Sequence, residues 1–522
     1  MKLFLGNNVS YPWTIDGGNG FRGYFIYGGK LYRQVEALHF ILDKIDESNN
    51  IAILKMMSGV YSFIIKKGNY IISSVDRLRG LPLFYSIIES EFCIGDDVEF
   101  LCSEIKDIEI SNDSVDDMLS SDTFVLGQNT LFNNLYQIRA GEVCVFDELS
   151  NTIHNKQYYT TNHDYLYDDN EEVNLKEQFW LAYKRTGEDM IKALRNRTAV
   201  IPLSGGADSR MILDLLIQGG YKKIICYTYG KSGNKEAEIS RNVAKKNGCK
   251  WYFIPYTPQM WEHIRDSKER FRYENYAASF TSTPHFQDYP AVKFLKEKHL
   301  IPSDAVFIPG HSGDIPNGNH VAKVYTQPKV TDKECLNSIL NFTYHRIKSS
   351  TLKRLKKYYP ILENGSPQDY ATIEEWFDTA ERQAKYIVNS VRVYEFFGYE
   401  WLIPLWDNNQ LDFWSHISLR WRYGRCLYYK MTQGDNIPST NDPSLRKTIE
   451  NKIRKTPVLR SIVRRIMKMK YWKSSNLYME HLLDKKDYMR ACLFEYQSFS
   501  VVTLICKNYV NRILSEYGKA KE

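Results

Sequence analysis

The stretch Val200-Ile201-Pro202-Leu203-Ser204-Gly205-Gly206-Ala207-Asp208-Ser209-Arg210 constrains this chain more than any other. The apolar run Ala199 to Leu203 reads as a buried strand, and Met211-Ile212-Leu213-Asp214-Leu215-Leu216 as the start of a helix. Ser-Gly-Gly between them lets the backbone approach an anion and aim its N–H groups at it. Ser204 and Ser209 add hydroxyl donors. A carboxylate at Asp208 would repel a bare phosphate. It fits if it holds Mg²⁺, which takes hard oxygen ligands shared with phosphates. The plainer reading is a strand-to-helix turn punctuated by Ser and Gly.

The pattern continues with short connections. Gly219-Gly220 ends the first helix, and Lys223 to Gly230 is a second strand. Asn234 opens a second helix that runs to Asn247-Gly248, and Trp251 to Pro255 is a third strand. A βαβαβ order predicts a parallel sheet with a site at the C-terminal ends of its strands, where Ser204 and Tyr229-Gly230 fall. A further strand, Ala305 to Pro309, runs into Gly310-His311-Ser312-Gly313-Asp314, a second Gly-rich turn carrying one acid. Upstream, residues 164–172 read as a polar linker, and Val173 to Arg195 has helical periodicity.

Ser-Gly-Gly-Ala-Asp-Ser resembles the pyrophosphate loop of the ATP pyrophosphatases; no Gly-Lys-Ser/Thr follows, so it is not of the Walker type. Pro309 to Asp314 resembles the Ser-Gly-Glu-Gly-x-Asp-Glu segment of the asparagine synthetase family. That resemblance implies ATP and Mg²⁺ as cofactors. It places Leu203, Ser204, Gly205, Gly206, Asp208, Ser209, Tyr229 and Gly310 on the nucleotide or its pyrophosphate, and Asp208 and Asp314 on the metal. The chain departs from the family at His311, which stands where the family has a glutamate; here it is either a general base for an incoming amine or a structural turn residue. Ser282-Thr283-Pro284-His285-Phe286-Gln287-Asp288 resembles the family's Thr-Pro helix start, which would set His285 and Asp288 on one helix face beside the acceptor. Glu400, Pro404 and Asp407 match a further family segment, which reads first as a packing elbow. Gly318 and His320 follow the family's Gly-Gly-Tyr tail loosely. The family's catalytic lysine has no clear counterpart, Lys430 and Lys447 being candidates.

Residues 1–160 read as β-rich, with hairpin strands Gly59–Ile65 and Tyr70–Val75 around Lys66-Lys67-Gly68-Asn69, in two packed sheets with helices outside. Gly-Val-Tyr-Ser-Phe, Asp76-Arg77-Leu78-Arg79-Gly80-Leu81-Pro82-Leu83-Phe84-Tyr85 and Thr130-Leu131-Phe132…Ala140-Gly141-Glu142 resemble the glutaminase domain of the same family. Its nucleophile is the cysteine after the initiator methionine, and this chain has Lys2 there, which supplies no thiolate. The expected architecture is therefore α/β: an Ntn-hydrolase-like α+β sandwich (1–160), then a doubly wound parallel-sheet ATP-pyrophosphatase domain (161–440) with a helical C-terminal part and a basic extension (441–522).

Nine cysteines without a Cys-x-x-Cys pattern, no signal-peptide pattern and no membrane-length apolar run point to a cytoplasmic protein without a zinc site. A net charge of +7 over 522 residues does not by itself imply nucleic acid. The basic amphipathic run Arg446 to Lys473 admits contact with RNA or a membrane surface, but reads first as one solvated and one core face. The resemblance implies adenylation of a small-molecule carboxylate, with release of pyrophosphate and attack by ammonia or another amine. A separate glutaminase and a homodimer are open as partners. Rival readings are a β-lactam-synthetase-like or lasso-cyclase-like enzyme with an internal amine, amidation of a uronic-acid sugar, adenylation of tRNA, and a non-catalytic nucleotide-binding scaffold.

Overall fold

The computed structural model describes residues 1–163, 166–168, 171–345, 347–360, 364–433, 469–472, 475–494 and 500–518. Over the described residues the protein is mixed α/β with three sheets.

The first third builds two of them. In the larger, Thr14–Asp16, Asn19–Tyr27, Ser58–Lys67, Tyr70–Val75, Glu142–Asp147 and Thr152–Gln157 lie side by side, with Lys30–Arg33 paired to Asn19–Tyr27. The hairpin closes at Lys67↔Tyr70, around Gly68 at φ +58°. The smaller sheet orders Lys2–Phe4, Glu91–Gly95, Phe84–Ile88 and Tyr136–Gln137. Its pairs are antiparallel except the first, where Lys2 lies beside Cys93 in parallel register. Ile64, Ile71 and Val75 of one sheet bury against Leu83, Tyr85, Phe92 and Ile94 of the other. Helix Gln34–Lys44 covers the outer face of the larger sheet through Ala37, Leu38 and Ile41. The turn Asp76–Gly80 is built on one carboxylate: Asp76 accepts from the backbone N–H of Leu78 (2.9 Å) and Gly80 (2.9 Å).

The smaller sheet's outer face is covered from the far end of the chain. Helix Val501–Tyr517 starts with a reciprocal cap between Ser500 and Thr503. It sends Cys506, Tyr509, Val510 and Ile513 into the core that holds Phe4, Phe84, Met118 and Phe132. The end of the segment expected as a basic extension is thus part of the first third's packing. The basic run itself and Lys447 lie largely outside the described residues.

The third sheet is parallel throughout, in the order Lys250–Pro255, Ile224–Gly230, Ala199–Pro202, Val306–Phe307, Glu400–Trp401. Chain order runs outward on one side of Ala199–Pro202, then resumes on its other side. The reversal therefore falls between Ala199–Pro202 and Val306–Phe307. In open parallel sheets this is where adjacent connections leave in opposite directions and open a crevice. The expected strand Ala305–Pro309 is cut to two residues because its outer neighbour, Glu400–Trp401, is only two residues long. Among the described residues no helix is long and apolar enough to cross a membrane, and all nine cysteines are free thiols.

A helical run from Pro367 to Phe396 lies between the first two sheets and the crevice. It begins with a Ser366–Asp369 cap and Pro367 in the first turn, then changes at Asp378–Ile387 into a ten-residue π-helix. So long a π segment is unusual, since π turns are normally single insertions. Asp378, Glu381, Gln383 and Lys385 on it are all buried.

Candidate functional site

The turn after Ala199–Pro202 is folded on its own hydroxyls. Ser204 N donates to Ser209 Oγ (3.1 Å), the two serine Oγ atoms are 3.1 Å apart, and Gly206 N donates to Ser204 Oγ (3.1 Å). Both serines, expected as donors to an anion, thus first shape the loop. Helix Ala207–Gln218 then starts at Gly206 with no side chain capping it, which leaves its first N–H groups for a ligand.

The second turn is pressed against this helix start. A Cβ on Gly310 would lie 3.0 Å from the Ser209 backbone nitrogen and 3.3 Å from the carbonyl carbon and Cβ of Asp208. Backbone cannot give way there as a side chain can, so the close approach requires glycine. It brings the segments carrying Asp208 and Asp314 together.

Arg425 joins the two acids. Its Nη2 donates to Asp208 Oδ1, and its charge also acts on Asp314. Asp314 accepts from Asn319 (3.2 Å) and lies 3.4 Å from His320 Nε2, whose Nδ1 is 2.6 Å from Asp378 on the π-helix. Burial alone would raise the Asp314 pKa. The His320 hydrogen bond and charge, with Arg425 and Asn319, outweigh it and hold the carboxyl at about 2. Burial likewise works against charge on His320, but hydrogen bonds to Asp314 and Asp378 raise its pKa to about 9. Arg382 faces Asp378 from the other side at 3.8 Å.

A pH dependence follows. The folded pKa of His320 lies above its ordinary 6.5, so its stabilisation is complete below pH 6.5 and disappears as pH rises through about 9. Urea titrations of the ligand-free protein should lose about 1–3 kcal/mol across that window. His320→Gln should flatten the loss; an unchanged slope would show that the imidazole is not charged in the fold.

His311 is partly exposed, with its Nε2 buried and unpartnered. Burial lowers its pKa against the opposing pull of Asp288 and Asp314. His285 is close enough for the two rings to affect each other. Burial, then His311, lower the His285 pKa to about 4. The expectation that His285 and Asp288 share a helix face is corrected: the helix is Tyr289–Glu297, and both precede it. Pro290 explains this. It has no N–H, and its ring would clash with the carbonyl of residue 286 in a continuing helix, so it fits only in the first turn. Asp288 is instead the hub of a tyrosine cluster, accepting from Tyr229 and from Tyr394 (2.6 Å). Tyr229 also accepts from Gln287 (3.0 Å) and stacks on Tyr256 with centroids 4.9 Å apart. Its hydroxyl is thus committed to this cluster.

Other expected positions lie away from the two turns. Lys430 pairs with Glu172 at 2.6 Å. Glu400 binds Arg33 (2.7 Å) and Arg197 (2.8 Å), and Asp407 caps helix Asn408–Ser415, both being packing roles. Lys2 pairs with Glu104 at 2.6 Å. Burial raises the Cys93, Cys102 and Cys144 thiols rather than lowering them, Cys102 to about 12.

Gly318 supports the second turn. At φ +89° its Cβ position lies 2.3 Å from the Arg422 carbonyl oxygen. Gly318→Ala therefore meets backbone strain and a backbone clash together, for about 2–4 kcal/mol. A shift in the denaturation midpoint measures it; a loss below 1 kcal/mol would mean that the two segments are not in contact.

Arg425, His320 and Asp378 are the residues that sequence reasoning missed or passed over. A scan against protein-family models finds no match to the chain, and a search of curated proteins finds none either.

Proposed function

We propose that the protein is an asparagine-synthetase-like, ATP-dependent amide-forming ligase, built as a glutaminase-like sandwich without the cysteine, followed by a pyrophosphatase-type α/β unit. One observation carries the reading: the Ser204–Ser209 and Gly310–Asp314 turns meet where the parallel sheet reverses its order, with Gly310 packed on the helix start. A triphosphate laid there meets the open N–H groups of helix Ala207–Gln218. Asp208 and Asp314 would hold Mg²⁺. Among the described residues no cluster of three or more His, Cys, Asp or Glu is arranged to hold a metal ion. Two carboxylates suit Mg²⁺ arriving with a polyphosphate, because that ion fills its shell with phosphate oxygens and water. Bound there, it supplies charge neutralisation on the pyrophosphate leaving group.

The chain's own residues then have separable tasks. The helix start and the Gly205 N–H orient the polyphosphate, and Gly310 keeps the two turns in register. His311, whose pKa burial lowers, would accept a proton from an amine attacking the acyl-adenylate. Lys2 provides no glutaminase nucleophile, so the amine is not released from glutamine by this chain itself.

The test is ATP–pyrophosphate exchange with Mg²⁺ over a panel of aspartate, other amino acids and uronic-acid sugars. Exchange that requires one carboxylate establishes adenylation and names the substrate. Nucleotide binding without exchange would favour the scaffold reading, and absence of nucleotide binding would remove the assignment of the loop.

A further inference from the structure

Arg425 is held in a costly arrangement. It follows Gly424 between helices Leu419–Arg422 and Cys426–Gln433, and both residues have positive φ, 63° and 61°. Gly424 takes that conformation freely; Arg425 does so against the steric clash of its own Cβ. Its guanidinium lies over the rings of Tyr428 (4.3 Å) and Tyr429 (5.2 Å), and its side chain is 9% exposed. One nitrogen is spent on Asp208, yet Nε is buried without a hydrogen-bond partner. A buried cationic donor without a partner is unfavourable. The residue it reaches, Asp208, is the acid in the turn that must admit an anion.

We propose that Arg425 is a phosphate-binding residue that occupies Asp208 while the site is empty and transfers its fork to a non-bridging phosphate oxygen when a polyphosphate enters. This rests on the nucleotide reading of the turn. Asp208 in the loop opposes an incoming anion, and Arg425 cancels that charge in the resting site. A divalent cation on Asp208 does the same in the loaded site and frees the guanidinium. Arginine suits the task because it offers two parallel donors to a phosphate and keeps its charge when buried. No bond is made or broken in the exchange.

Calorimetric titration of the full chain with inorganic pyrophosphate, with and without Mg²⁺, tests the proposal. Arg425→Ala should weaken metal-free pyrophosphate binding by about 10- to 100-fold, the equivalent of one or two charge-assisted hydrogen bonds. Arg425→Lys, which keeps charge but not the fork, should recover part of it. Asp208→Asn carries the sharper signature. It should tighten metal-free binding, because the arginine is released and a repulsion removed, and weaken binding when Mg²⁺ is present. In the Arg425→Ala background the part of the metal-free gain that comes from releasing the arginine should vanish, leaving a smaller gain. A merely structural Arg425 would not produce that dependence. Thermal unfolding of each variant confirms that it is folded. Equal pyrophosphate affinity in the wild type and Arg425→Ala, or an equal Asp208→Asn gain in both backgrounds, overturns the inference and leaves the nucleotide reading standing. A wild-type chain that binds neither pyrophosphate nor ATP overturns both.

Discussion

Asp208→Ala is expected to cut carboxylate-dependent ATP–pyrophosphate exchange by about 10²- to 10³-fold, the scale seen when one preorganised electrostatic group is removed from a reacting centre. The residue sits in the first turn of helix Ala207–Gln218, directly after the Ser204–Gly206 turn. Its loss removes a carboxylate proposed to hold the metal and leaves Arg425 without its ion-pair partner. The fold should lose only about 1–2 kcal/mol, from the negative charge at a helix N-terminus and from the broken pair. Stability and exchange therefore separate: a variant that melts a few degrees lower but exchanges at the wild-type rate would show that Asp208 has no part in the chemistry. Asp208→Asn should lie close to Asp208→Ala in exchange, because the amide keeps the size and not the charge.

What the sequence revealed about this site follows from how local each signal is. Strand Ala199–Pro202, its helix and the two following strands are apolar runs bounded by Gly, so their order and parallel pairing could be read directly. The tight fit of Gly310 on Asp208 could be suspected from a glycine at a strand end, but its cause is contact across residues distant in sequence. Arg425 gave one faint signal, a glycine just before it within a helical stretch, and nothing local says that its guanidinium reaches Asp208. Asp378 and Lys385 were hidden more thoroughly. A π-helix shifts the helical period, so the residues facing one side cease to follow the spacing that marks an amphipathic helix. The displaced His285 and Asp288 were legible in principle, since Pro290 fixes where that helix begins.

The π-helix also sets the largest expected stability effect. Lys385 Nζ donates to the backbone oxygens of Val125 (2.7 Å) and Gly127 (2.6 Å) and to Glu381 (2.6 Å). Glu381 in turn accepts from Gly127 N (3.0 Å) and Tyr359 (2.5 Å), and Arg139 lies 3.7 Å away. Both members of the pair are fully enclosed. Glu381→Gln turns one acceptor into a donor facing other donors and leaves the Lys385 ammonium short of its counter-charge, so it should cost about 3–5 kcal/mol. Lys385→Met alone strands two carbonyl oxygens and a carboxylate. Combining it with Glu381→Gln should cost at least about 1 kcal/mol less than the sum, because each change removes part of the other's penalty. Denaturant midpoints for the two single variants and the double variant give this coupling, and strict additivity would mean that the pair is not a unit. The consequence reaches the site, because the same helix holds Ser312 through Gln383 (3.3 Å) and His320 through Asp378 (2.6 Å). A segment anchored at Val125 and Gly127 thereby positions the turn that carries Asp314. Variants at Glu381 should therefore lose exchange activity under conditions where they are still folded, although Glu381 contacts neither turn.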